Sequence, residues 1–145
     1  MADLTDSKPP LWFWLISALT LLWNGMGVGK FLADVNTSAD DIAKLPQVTQ
    51  DMLASLPPWY MIAFGLAVIA GVLGCLSLLL GKKWALILFV LSLLGVLAQQ
   101  AVFWVMTDIG KNLKGGELVM PILIPIVAIF LIWFARMASA KNWLT

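Results

Sequence analysis

Four long apolar stretches, separated by short polar segments, set the pattern of hydrophobic and polar positions along the chain. Each contains 18 to 30 consecutive residues without a charged side chain, and about 20 apolar residues are enough for a helix to cross a bilayer. We therefore expect an all-α fold, an integral membrane four-helix bundle that forms a single transmembrane domain over residues 1–145. The predicted helices lie near residues 11–30, 59–80, 84–107 and 118–138.

The one sizeable loop of the pattern covers residues 32–58, between the first two predicted helices. Ser38 followed by Asp41 resembles a helix N-cap with an acidic residue in the first turn, and Pro46 suits the first turn of a second short helix. Apolar residues then recur every four positions, at Val48, Met52 and Leu56. This spacing predicts a short amphipathic helical segment in the loop, on the membrane surface or across the mouth of the bundle.

Composition supports a membrane protein and narrows its chemistry. Hydrophobic residues make up 61% of the chain and charged residues 12%, against about 25% charge in soluble domains, and the mean hydropathy is +0.94. The net charge of +1 gives no reason to expect nucleic acid as a partner. The chain has no histidine and one cysteine, which excludes a histidine-ligated haem, a His/Cys zinc site and the usual general base. We therefore expect no catalytic residues, no metal and no cofactor.

Glycines are concentrated near the end of the first predicted helix, in the sequence WNGMGVGKF. The order differs from a nucleotide phosphate loop, because Phe31 stands where that motif needs a hydroxyl residue. Gly25 and Gly29 are instead four residues apart, a spacing that lets two membrane helices approach closely. The second predicted helix has a small-residue row with the same spacing, at Ala63, Ala67, Gly71 and Cys75. These two faces are predicted to pack against each other.

A second set of residues is polar or breaks helices within the apolar stretches. Asn24, Gln99 and Gln100 lie roughly 10 Å below the predicted outer boundary, from the 1.5 Å rise per residue. Pro125 lies at a similar depth, and Pro121 and Pro125 each free a backbone carbonyl one turn earlier, which an amide of another helix could use. Two residues continue the stripe of Gln100 toward the outside, namely Trp104 and Asp108. The set predicts either interhelical hydrogen bonds or an outward-opening polar pocket.

The basic residues indicate an orientation in the membrane. With both termini in the cytoplasm, five of the nine basic residues lie inside, and two of these are in the tight turn after the second predicted helix. Such short loops weigh most in the positive-inside rule. The predicted inner residues are Lys8, Lys82, Lys83, Arg136 and Lys141, and the predicted outer residues are Lys30, Lys44, Lys111 and Lys114.

Several short sequences resemble those of small bacterial four-helix membrane proteins of the DoxX-like kind. They are GVGKF at the end of the first helix, LPPW before the second, and LLLGKKWA at the turn to the third. The chain is also similar to a bacterial group sometimes labelled sugar transporters, through WNGMG, LGCLSLLLGKKWA and a proline-rich fourth helix. The DoxX-like resemblance implies a membrane subunit linked to quinone or thiol redox systems. That family often has an acidic residue in its second helix. In this chain, residues 52–81, which include the second predicted helix, contain no charged side chain.

Three functional hypotheses follow from the sequence. The first is a non-enzymatic protein of the bacterial inner membrane that acts through helix association, with copies of itself or as an accessory subunit of a larger membrane complex. The second is a carrier or binding protein for a small solute or a lipophile, which uses the outer-half polar residues. The third, implied by resemblance, is a membrane subunit of a redox complex. The expected partners are the lipid bilayer and itself or another membrane protein.

Overall fold

The computed structural model describes residues 8–145, and residues 1–7 of the predicted domain lie outside the described part. The predicted all-α class is confirmed, since the described residues form helices and turns without strands. The helices are α1 (Leu11–Val35), α2 (Ala39–Ala43), α3 (Gln47–Ser55), α4 (Tyr60–Leu79), α5 (Trp84–Ala101), α6 (Ile109–Asn112) and α7 (Val119–Ala140). Four helical spans are long and apolar enough to cross a membrane, as expected of a multi-pass membrane protein.

The polar end of α1 extends five residues beyond the predicted boundary at residue 30. Lys30 Nζ lies 2.6 Å from a carboxylate oxygen of Asp34, one turn later, and such pairs stabilise a helix surface. The Asn36 side chain donates a hydrogen bond of 2.8 Å to the carbonyl of Leu32 and so satisfies one of the last carbonyls. Charge ends the membrane stretch of α1 here, but it does not end the helix.

The loop between α1 and α4 contains two short helices. At the start of α2, the Ser38 hydroxyl accepts a hydrogen bond of 3.1 Å from the backbone N–H of Asp41. Helix α3 begins after Pro46 and has no buried residue. We call this end of the bundle the loop end, and we call the opposite end, at residues 80–83, the turn end.

Neighbouring helices follow each other in space, with α4 between α1 and α5, and α5 between α4 and α7. Helices α4 and α5 approach each other closely at Gly95, where a Cβ atom would lie 2.7 Å from the carbonyl oxygen of Ala63. Nearby, the Ser92 hydroxyl donates a hydrogen bond of 2.6 Å to the carbonyl of Ala67. The absence of a side chain at Gly95 lets the backbones of α4 and α5 come into contact, and the Ser92 hydrogen bond links the same two helices.

The turn end is closed by aromatic residues of α1, α7 and the segment after α7. Phe13 and Phe134 are fully buried, and their rings stack with centroids 5.4 Å apart. Trp143 packs edge-on against Phe13 at 5.5 Å. Helix α1 is nevertheless the most exposed of the four spans, because 17% of its most apolar stretch is buried, against 50% for α4. It packs mainly on α4 and presents its other side outward.

Candidate functional site

The buried amide of the predicted polar set, Asn24, lies between α1 and α4. It is buried, and its amide nitrogen donates hydrogen bonds to the Thr20 carbonyl at 3.0 Å and to Cys75 Sγ at 3.6 Å. Its amide oxygen occupies the space beside Gly71, where a Cβ atom would overlap with it. Asn24 thus fastens α1 to α4, and Gly71 provides the room that its side chain needs.

The small residues of α4 serve two neighbours instead of one. Gly71 and Cys75 face α1 through Asn24, whereas Ala63 and Ala67 face α5 at its Gly95. Because successive positions of a row with four-residue spacing rotate slowly around a helix, one row can pass from one neighbour to the next. This division lets α4 pack on both α1 and α5.

Gly25 and Gly29 do not pack against α4, and this prediction was wrong. No atom outside their own turn lies within 4 Å of the Cβ position of either residue. The glycine of α1 that does face α4 is Gly27, where a Cβ atom would lie 2.8 Å from a methyl group of Val68. Asn24 and Gly27 belong to one side of the helix, and the 100° turn between successive residues places Gly25 and Gly29 on the other.

The two glutamines of α5 do not join Asn24. Gln100 Oε1 accepts a hydrogen bond of 2.7 Å from the indole nitrogen of Trp104, one turn later in the same helical span. The Gln99 side chain lies beside the hydroxyl of Tyr60, at the start of α4. Among the described residues, no side-chain hydrogen bond connects Asn24 to a glutamine or a glutamine to α7. The predicted amides therefore occupy separate places.

The two prolines lie in α7, which continues unbroken through Pro125 from Val119 to Ala140. Pro121 is buried and Pro125 is half-buried. Asp108 is exposed at the loop end, where one of its carboxylate oxygens lies 3.4 Å from Lys111 Nζ. The structure thus distributes the predicted set between an α1–α4 contact, the outer part of α5, helix α7 and the loop-end surface.

A π-helical turn, Val102–Met106, directly follows α5. The sequence pattern did not predict it. The backbone N–H of Thr107 donates to the Val102 carbonyl at 3.0 Å, and the Thr107 hydroxyl donates to the same carbonyl at 2.7 Å. The chain then folds back, with Gly110 pressed against the ring of Trp104. Turns of the π type are frequent at functional sites.

An open cleft of about 440 Å³ lies between this π turn and α3. It is lined by Val48, Asp51, Met52, Ser55, Met106, Thr107, Asp108 and Ile109. Asp108 is the one member of the predicted polar set that lines it. The cleft combines apolar side chains with two carboxylates, of which Asp108 is paired with Lys111 and Asp51 accepts a hydrogen bond from the Gln47 side chain.

Two contacts that organise the bundle were missed from the sequence, namely Ser92 with Ala67 and Gly27 with Val68. Ser92 and Gly95 are small residues three positions apart on one face of an apolar helix, which is a usable signal for close packing. Among the described residues, no group of three acidic, cysteine or histidine side chains is placed to hold a metal ion. No family model, curated protein or solved structure matches the chain.

Proposed function

We propose that this chain is a non-enzymatic protein of the bacterial inner membrane that works by associating with a second copy of itself through α1. Both ends of the chain lie in the cytoplasm in this proposal. The observation that carries it is the open space beside Gly25 and Gly29, which no other part of the protomer fills. Because Gly25 and Gly29 contact no other helix within one copy, their four-residue spacing is available for packing against a helix of a second copy.

The open glycines are part of a longer exposed face of α1 that also carries two alanines and one leucine. We call it the outward face of α1, and it comprises Ala18, Leu22, Gly25, Gly29 and Ala33, all of them exposed. Their spacing of three or four residues keeps them on one side of the helix, opposite the side that packs on α4 through Asn24 and Gly27. The face runs along most of the length of α1.

Such a face favours association in a bilayer for a physical reason. Lipid tails are as apolar as leucine side chains, so helices associate through close van der Waals packing and not through the hydrophobic effect. Small residues four apart let two backbones approach each other, and identical faces are self-complementary around a twofold axis. A second copy is therefore the occupant that this face fits best.

The experiment is energy transfer between donor- and acceptor-labelled copies in proteoliposomes, compared for wild type, Gly29→Leu and Met26→Leu. We expect wild type and Met26→Leu to associate and Gly29→Leu to remain monomeric. Gly29→Leu should stay folded, because the Cβ position of Gly29 is open, and its unfolding temperature in detergent checks this. A folded Gly29→Leu protein that associates like wild type would overturn the proposal.

A second candidate function is binding of a small solute at the loop end, and the cleft between α3 and the π turn favours it. Ser55→Trp would fill the cleft, whereas Ala54→Trp adds the same side chain at an exposed neighbouring position outside its lining. We expect small molecules that copurify with wild type and Ala54→Trp, detected by native mass spectrometry, to be lost from Ser55→Trp. Identical spectra for the three proteins would remove this candidate.

A further inference from the structure

The two ends of the bundle differ in charge. The described residues of the turn end include five basic side chains, and the six acidic residues in the described part of the chain all lie at the loop end. The basic residues of the turn end are Lys8, Lys82, Lys83, Arg136 and Lys141. Asp3 and Asp6 belong to residues 1–7, outside the described part. Two of the five basic residues, Lys82 and Lys83, lie in the turn between α4 and α5.

The segment after α7, residues 141–145, is attached to the α4–α5 turn. The Thr145 backbone N–H donates a hydrogen bond of 2.7 Å to the carbonyl of Gly81, and the Thr145 hydroxyl lies 3.2 Å from the same oxygen. Leu144 is buried, with 2% of its surface exposed. Gly81 directly precedes Lys82 and Lys83, so the end of the segment that contains Lys141 is attached beside the turn that contains these two lysines.

The basic residues near the α4–α5 turn, Lys82, Lys83 and Lys141, form no ion pair with an acidic side chain among the described residues. Both ion pairs of the described part of the chain lie at the loop end, Lys30 with Asp34 and Lys111 with Asp108. Lys82, Lys83 and Lys141 are all exposed. Like charges at one end of the bundle repel each other, and an anion that binds near them lowers this repulsion.

Tryptophans place the basic cluster at the level of lipid headgroups. Trp84 follows Lys83 and is exposed, and Trp143 packs on Trp12 with ring centroids 5.5 Å apart. Lys141 Nζ lies 5.6 Å from the centre of the Trp143 ring. Tryptophan is enriched at membrane interfaces because its ring is amphipathic, so the lysines lie where phosphates of the bilayer are found.

We propose that the turn end binds an anionic phospholipid, with its headgroup phosphate held between the 82–83 turn and residues 141–145. The acyl chains would lie along the apolar surface beside Trp84. Each lysine near an anionic surface strengthens attraction by an amount equivalent to about fivefold in affinity. Removal of Lys82 and Lys83 should therefore weaken binding by roughly 20- to 30-fold.

The test measures the unfolding temperature of the intact chain in neutral detergent during titration with phosphatidylglycerol or with phosphatidylcholine. Wild type, Lys82→Gln/Lys83→Gln and Lys111→Gln/Lys114→Gln are compared, so that each variant loses two positive charges at one end. We expect phosphatidylglycerol to stabilise wild type and the loop-end variant, and the turn-end variant to need at least tenfold more of it. Phosphatidylcholine should have no such effect.

Two results would overturn the lipid site. One is an equal response of both double variants to phosphatidylglycerol, which would mean attraction without a preferred end. The other is stabilisation of the same size by inorganic phosphate, which would mean a site for a free anion. Circular dichroism of the turn-end variant without lipid checks that it folds. If it does not, Lys141→Gln, on an exposed side chain, takes its place with an expected loss of about fivefold.

Discussion

Replacing Gly71 with alanine tests the contact between α1 and α4 with a single added carbon atom. A Cβ atom at residue 71 would overlap with the amide oxygen of Asn24. Asn24 cannot turn away without loss, because its nitrogen donates to the Thr20 carbonyl and to Cys75 Sγ. Either the side chain gives up these hydrogen bonds or the helices move apart.

The magnitude follows from a comparison with Gly25→Ala. Both changes give the same gain in helix propensity, roughly 0.5–1 kcal/mol, but the Cβ position of Gly25 is open. The difference between the two substitutions therefore isolates the contact when both proteins are compared as monomers in dilute detergent. Overpacking of one such site costs about 1–3 kcal/mol, and loss of an interhelical hydrogen bond in a membrane costs roughly 0.6–2 kcal/mol. We expect Gly71→Ala to be less stable than Gly25→Ala by about 1–3 kcal/mol.

The assay is the free energy of unfolding in mixed detergent micelles, measured for both substitutions in wild type and in an Asn24→Ala background. Without the Asn24 side chain the added methyl group has room, so the difference should fall below about 0.5 kcal/mol. A Gly71→Ala protein as stable as Gly25→Ala would refute the reasoning. So would a cost of the same size in both backgrounds, since the cause would then lie elsewhere.

Further predictions concern the α4–α5 contact, the glutamines and the orientation. Gly95→Ala should be more destabilising than Gly71→Ala, because its Cβ atom would meet backbone atoms, and equal unfolding temperatures would contradict this. Ser92→Ala should lower the free energy of unfolding by roughly 0.6–1.7 kcal/mol, because the Ser92 hydroxyl bonds to another helix. Gln100→Leu should lower it by less, because Gln100 bonds to Trp104 within its own helical span. A cysteine at Lys114 should react with an impermeant thiol reagent in intact cells, whereas one at Lys83 should be protected; the reverse pattern would invert the orientation.

The hydropathy pattern predicts the four long helices because a long uncharged stretch in a bilayer must satisfy its own backbone hydrogen bonds, and an α-helix does so within one segment. The N-cap of α2 was equally readable, since Ser38 and Asp41 have the required spacing. The end of α1 was placed too early because charge was taken as a helix boundary. Lys30 and Asp34 show that charge marks where the helix leaves an apolar environment, and that it can stabilise the turn beyond.

The contacts between helices were harder to predict from spacing alone. A four-residue spacing identifies a face, but it does not say which neighbour the face meets, and Gly25 and Gly27 differ by 200° around α1. The deciding residue is Asn24, whose burial cost fixes the side of α1 that turns toward α4. The cleft beside the π turn depends on how α3 lies over residues 106–109, which no local pattern specifies.

The most direct test of self-association through α1 is disulfide cross-linking of single cysteines in membranes. Leu22 and Leu19 are both 65% exposed, but Leu22 is on the outward face of α1, whereas Leu19 lies about 60° from Leu22 and about 80° from the centre of that face. Cys75 is fully buried and can stay in both variants. After oxidation, Leu22→Cys should run as a covalent dimer and Leu19→Cys mainly as a monomer. Equal cross-linking of the two, or none at Leu22→Cys, would contradict association through this face.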